Sequence, residues 1–245
     1  MADTATLTQA SAVGRIKIRR AAATGALVYQ QRGGNQTATD SQGISLDCYI
    51  HALFGLTVQS APAHVLMIGC AGGTLATMLH RLGARVTAVD IDPVAFELAK
   101  RHFQMPDAIR CRVADGLAYL KASRTRFDAV IIDAFIGENV PPQFTGDDFC
   151  RIVRRRLNPT GAVLVNFCLD GRSDLRADQM ARRFHANGWR VRIFDQPGGE
   201  RNAIVLAGNV ATVRPPRLVL APSHDQKRLR RELAAMRFRR RKKIR

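Results

Sequence analysis

The sequence predicts an α/β fold, a doubly wound and mostly parallel sheet flanked by helices. Three observations carry this. From Val65 onward, apolar runs of strand length alternate with segments whose apolar residues recur at helical spacing. The first run stops at a glycine-rich turn (Gly69, Gly72, Gly73) and the second ends in an acid, Asp90. The last two runs are joined by the glycine-rich segment Gln196 to Arg201, which suits an antiparallel pair closing the sheet.

In chain order, residues 1–12 are small and polar and are expected to be disordered. Residues 14–31 alternate (Ile16, Ile18, then Leu27, Tyr29) around Ala23-Thr24-Gly25, which predicts a short β-hairpin. Residues 44–58 carry apolar positions at helical spacing and predict a helix packed under the main sheet, so 13–60 read as an N-terminal hairpin-and-helix segment. Residues 61–212 form the α/β domain. Its strands are expected at 65–69, 86–90, 109–113, 128–133 and 162–167, its helices at 73–83, 93–103, 115–122, 145–156 and 174–187, and its closing strands at 190–195 and 202–207. Thr145, with Asp148 three residues on, reads as a helix N-cap in a capping-box variant. Pro215, Pro216 and Pro222 mark a linker into the last segment, 213–245.

Bulk composition narrows the function classes. No apolar run reaches the roughly 18 residues of a membrane span, and Met1 to Arg20 lacks the apolar core of a signal peptide. Five dispersed cysteines without a C-x-x-C pair fit reduced thiols in cytoplasm rather than a disulfide framework. The six histidines show neither triad nor metal spacing, and no metal is expected. The net charge of +18 is the unusual value, and half of it lies in residues 224–245, where 11 Lys and Arg face two acids. A solvated tail is one reading. Weak contact with nucleic acid, an anionic surface or an acidic partner is another. Leu229, Leu233 and Met236 fall at helical spacing, which also allows a helix docked on the chain's own domain.

The chemistry concentrates in VLMIGCAGGTLATMLHRLGARVTAVDID, residues 65–92. A glycine turn lets a ligand approach the backbone. An acid at the end of the next strand, 17 residues after Gly73, is placed to accept from ribose hydroxyls. The spacing is not G-x-G-x-x-G, since Ala71 stands at the middle glycine position. That disfavours a dinucleotide and leaves a nucleoside without a pyrophosphate, such as S-adenosylmethionine or a relative. The expected strand ends carry Gly69 to Gly73, Asp90, Asp115 and Asp133, three acids on one rim. Any one of these could be a helix cap, and Asp115 reads equally as one, but three acids on one rim beside a glycine turn are harder to explain by capping alone.

Taken together, VLMIGCAGG, VTAVDIDPVAFELAKRHF, VADGLAYL, FDAVIIDAF and FTGDDFCRIVRRRLNPTGAVLVNF resemble the spermidine synthase (polyamine aminopropyltransferase) family from about Leu27 to Asn209. The resemblance implies a Rossmann-like, seven-stranded sheet of the class I methyltransferase type, with the N-terminal hairpin and helix at one end and the basic tail at the other. It implies that Gln36, Gly69, Gly72, Gly73, Asp90, Asp115 and Gly116 contact the nucleoside. Within that set Asp90 would hold the ribose hydroxyls and Asp115 the adenine amino group. It implies that Tyr49 lines the amine site, that Pro141 and Pro142 lie in its lid, and that Asp133 is the catalytic acid. Two departures stand out. Gly72 occupies the place of a loop aspartate, and Ile136 that of a second aspartate after the catalytic one.

Three functional readings follow. The first is aminopropyl transfer from decarboxylated S-adenosylmethionine to a small-molecule amine, in cytoplasmic polyamine biosynthesis. The second is methyl transfer from S-adenosylmethionine, which Gly72 favours because glycine does not repel the donor's carboxylate. The third is a non-catalytic nucleoside-binding homologue. A homodimer is a further expectation of the first.

Overall fold

The computed structural model describes residues 6–196, 198–199 and 201–242. An antiparallel sheet comes first, with strands β1 (Thr6–Gln9), β2 (Ile16–Arg20), β3 (Leu27–Gln31) and β4 (Gly34–Thr39) in that order. The expected hairpin is β2–β3, in register Ile18 opposite Tyr29. The expected disorder of 1–12 is corrected by β1, whose Leu7 pairs with Ile18, while residues 1–5 lie outside the described ones. Only one face of this sheet is apolar. Ile16, Ile18, Leu27 and Tyr29 close it against Leu98 and Phe103 of the main domain.

The helix α1 (Cys48–Thr57) leads into the main sheet. There β5 (His64–Ile68), α2 (Thr74–Arg81), β6 (Arg85–Asp90), α3 (Pro93–His102), β7 (Arg110–Val113), α4 (Gly116–Ala122) and β8 (Phe127–Ile132) alternate. The chain continues through α5 (Asp147–Arg156), β9 (Leu157–Leu169), α6 (Arg176–Ala186), β10 (Val191–Asp195), β11 (Arg201–Gly208), α7 (Gln226–Ala235) and β12 (Arg237–Arg239). Strand order is β12-β10-β11-β9-β8-β5-β6-β7. Parallel pairing runs from β9 through β7, and β11 lies antiparallel between β9 and β10.

Alternation in the strands splits the core into two layers. Val65, Met67, Ala129, Ile131 and Leu164 face α1, α2 and α3, whereas Leu66, Ile68, Val130, Ile132, Val163 and Val165 face α4, α5 and α6. Strands covered on both sides read as continuous apolar runs, which is why they were visible in the sequence. Strand order reverses between β5 and β8, and the crevice beyond their carboxyl ends is where such sheets hold ligands.

Two expectations are corrected. Thr145 does not cap α5. Gly146 is the N-cap residue, and the Thr145 hydroxyl donates to the Pro142 carbonyl at 2.9 Å. The last segment is not a loose tail. Leu229 and Leu233 of α7 are buried against α1, and β12 adds an eighth strand, antiparallel to β10, to the seven expected. A buried ion network anchors β12. Arg239 makes a bidentate pair with Asp178 at 2.8 and 2.9 Å and meets Asp195 at 2.5 Å, while Arg201 holds the other oxygen of Asp195 at 2.8 Å. Neither Asp178 nor Asp195 is more than 2% exposed. No helix among the described residues is long and apolar enough to cross a membrane.

Candidate active site

A cavity of about 430 Å³ opens at the switch point. Its floor is the turn after β5. Gly69 adopts φ +95°, and a Cβ there would lie 2.2 Å from the Asp133 carbonyl oxygen, so β5 and β8 can only diverge here around a glycine. Ala71 is also left-handed (φ 45°), an unusual state for a residue with a Cβ. Two contacts hold the turn. The Asp90 carboxylate accepts from the Cys70 amide at 2.8 Å, and the Gly72 amide donates to the Thr37 hydroxyl on β4 at 3.2 Å.

Asp90 also accepts from the Asp92 amide at 2.9 Å. Burial raises its pKa, and these amide bonds oppose the rise. Two oxygens offer about four lone-pair directions, so acceptor capacity remains toward the cavity. Asp115 caps a helix and also lines the cavity. One oxygen caps α4 by accepting from the Ala118 amide at 2.8 Å, and the other accepts from Gln143 at 3.2 Å while lining the cavity. Gly116 lies beside it, with Ile68 Cγ2 2.4 Å from where a Cβ would be.

Asp133 follows the last residue of β8, where the main cavity meets a second, water-sized one of about 30 Å³. One of its oxygens accepts from the Asn166 side chain at 2.8 Å, and Asn166 in turn accepts from Asn202 at 3.2 Å. Burial, with a smaller push from Asp47, raises the Asp133 carboxyl from 3.8 to about 6, and the Asn166 bond opposes this. An acid poised between its two forms near neutrality suits proton transfer. Tyr49 lines the smaller cavity with Asp133, and its hydroxyl donates to the Gln36 carbonyl at 3.4 Å.

The structure thus brings Gln36, Gly69, Asp90, Asp115, Gly116 and Asp133 to one cavity and sets Tyr49 behind it. Gly72 and Gly73 line neither. A Cβ at Gly72 would meet Thr37 at 2.8 Å, and one at Gly73 would meet Met105 at 2.4 Å, so their role is packing of the turn. The sequence reading missed Tyr29, Asp92 and Gln143 on the cavity wall and the Asn166–Asn202 brace. Asn166 alone carried a signal, a polar residue inside the apolar run VLVNF. Among the described residues, no cluster of three or more His, Cys, Asp or Glu is arranged to hold a metal ion.

The family model "Methyltransferase domain" matches residues 65–161. A polyamine aminopropyltransferase of Chromobacterium violaceum is 33% identical over 125 residues, 49% of this chain and 48% of that protein. An eEF1A lysine and N-terminal methyltransferase homolog of Drosophila pseudoobscura is 35% identical over 149 residues, 51% of this chain but 22% of that protein. The chain therefore spans about half or less of the curated relatives it matches. Among solved structures, a probable spermidine synthase from Corynebacterium glutamicum superposes with a TM-score of 0.78 at 18% identity, covering 97% of this chain and 91% of the other. The fold is of the class I methyltransferase type. Within that class the chain resembles spermidine synthases and polyamine aminopropyltransferases.

Proposed function

We propose that this chain is a transferase that moves an alkyl group from the sulfonium of an adenosyl donor to the nitrogen of a small-molecule amine. The cargo we favour is the aminopropyl group of decarboxylated S-adenosylmethionine, in cytoplasmic polyamine synthesis. One observation carries the choice of donor. The cavity wall holds five acids, Asp90, Asp92, Asp115, Asp133 and Glu138, against a single cation, Arg32. A donor bearing two positive charges and no carboxylate suits that field better than S-adenosylmethionine, whose carboxylate it would repel.

In this reading Asp90 holds the ribose hydroxyls and Asp115, steadied by Gln143, accepts from the adenine amino group. The amine nitrogen attacks the carbon bound to sulfur. A C–N bond forms, the C–S electron pair returns to sulfur, and the donor leaves as a neutral thioether, methylthioadenosine. The proton released from nitrogen passes to the Asp133 carboxylate and then to solvent. Asn166 fixes the carboxylate's orientation, so the acceptor is aligned before reaction.

A methyltransferase is the second reading, and one observation favours it. The two positions where spermidine synthases keep further acids hold Gly72, wedged against Thr37 and Phe103, and Ile136, exposed at the rim. A diamine would lack those counter-charges. Incubation of the full chain with each donor and a panel of amines, read by mass spectrometry, decides between them. Methylthioadenosine and an aminopropylated amine support the first reading, and S-adenosylhomocysteine the second. Product from neither, with methylthioadenosine still bound, leaves a binding protein.

A further inference from the structure

The eighth strand brings more to the sheet edge than its own pairing. Asp178 and Asp195 are each satisfied by Arg239, and Arg201 completes Asp195. Around that neutralised centre, Arg172, Arg237, Arg240 and Arg241 have no carboxylate partner among the described residues, and all four are exposed. They border two concave regions, one on each flank of β12, each about 400 Å³. Among the described residues, the first is lined by Arg192, Arg239, Arg240 and Arg241 with no acid, and the second by Arg172, Arg201, Arg237, Arg239 and Lys242 with Asp195 as its one acid. The edge thus gathers exposed cations on and just after β12, in a chain of net charge +18.

We propose that this edge binds the phosphodiester backbone of nucleic acid without regard to base sequence. Clustering matters, because several guanidinium groups along one edge can meet successive phosphates and release their counterions. The surface lacks what a membrane contact needs. The one aromatic ring among residues 237–242, Phe238, is half-buried. It packs on Phe194 with centroids 5.0 Å apart, and the Arg192 guanidinium lies 3.4 Å above it. None of the large apolar side chains exposed on the described surface lies within residues 237–242, so nothing there can enter a bilayer. With Phe194 and Arg192 already packed on it, the ring offers no open platform for stacking bases, which makes the contact one of backbone charge.

The test is fluorescence anisotropy of the full chain with labelled DNA and RNA oligonucleotides of about 20 nucleotides, single and double stranded, between about 50 and 200 mM salt. Vesicles of phosphatidylcholine and phosphatidylserine form a parallel arm. The wild type should bind oligonucleotides with log K falling linearly in log salt. R237E/R240E/R241E should bind at least about tenfold more weakly at 100 mM salt, with a slope shallower by about 2. K227E/R230E/R231E makes the same change in net charge on the exposed side of α7 and should keep most of the affinity. R237Q/R240Q/R241Q repeats the test without adding acids, in case charge reversal disturbs the edge, and melting curves confirm that each variant folds. The DNA and RNA arms identify the nucleic acid, and binding of either supports the proposal. Equal loss in the two charge-reversal variants, no loss in the β12 variants, binding of vesicles but not oligonucleotides, or no binding at all would overturn it.

Discussion

At Asp133 the same burial that serves chemistry costs stability, and the two effects separate with pH. With its carboxyl raised from 3.8 to about 6, the folded protein holds this proton more tightly than the unfolded chain does. The group's contribution to stability is therefore full below about pH 4 and is lost as pH rises through about 6. Asp133→Asn keeps a partner for Asn166 and removes the buried charge. It should raise the melting temperature at pH 7–8 and give no gain at pH 4. Turnover should fall by roughly 10²–10⁴, and the rising limb of the wild-type rate near pH 6 should vanish. Nucleoside binding should stay near normal. Asp90 is the complementary case. Asp90→Ala should cost about 1.5–3 kcal/mol of methylthioadenosine affinity by calorimetry, since bonds to a charged acceptor are lost. Unchanged affinity would place the ribose elsewhere. Both acids were legible because each ends an apolar run. Asp92 and Gln143 were not, because their approach to the cavity depends on how α3 and the loop before α5 fold back.

Among the elements, the β5–α2 turn and the β12 edge show opposite degrees of legibility. The turn announces itself through its glycines, yet only the contacts divide their work. Gly69 lets two strand ends part, while Gly72 and Gly73 let the turn pack beneath β4 and α3. Gly69→Ala combines a disfavoured φ with a 2.2 Å clash against backbone that cannot move cheaply. A drop of more than about 3 kcal/mol in urea unfolding is expected, or no soluble protein. The edge strand Arg-Phe-Arg, by contrast, has no apolar alternation to read, and its partners sit 42 to 61 residues away in the chain. Charge composition marked the segment as a tail because sequence shows the cations and not the buried acids they meet. Arg239→Ala leaves Asp178 and Asp195 buried with fewer counter-charges and should destabilise the protein by about 3–5 kcal/mol. A matching loss is not expected for Arg240→Ala, which is exposed.

For the molecule as a whole, the sheet is not complete at Asn209, where the strand pattern visible in the sequence stops. Ser223 is already tied back, its amide donating to Asp40 at 2.7 Å, and Arg228 donates to the Leu46 carbonyl at 2.8 Å. Truncation after Ser223 should therefore lower the melting temperature or abolish cooperative unfolding, rather than leave the domain untouched. An unchanged melting curve would mean that α7 and β12 rest on the domain without supporting it. The layered core and the parallel strand order were readable because continuous apolar runs have few alternatives. The N-terminal sheet was read only as a hairpin, since β1 and β4 are short and polar in sequence.

The order of synthesis gives the β12 latch a further meaning. A ribosome delivers β10 about 40 residues before β12 and adds roughly 5–20 residues each second. For some seconds, and for as long as residues 237–239 remain within the exit tunnel, α6 and β10 carry Asp178 and Asp195 without Arg239. The nascent sheet must keep those acids in water and its edge open during that interval. Closure thus trails β10 by that interval, and a pause in translation between β10 and β12 would prolong the period in which the unpaired edge is exposed to other chains.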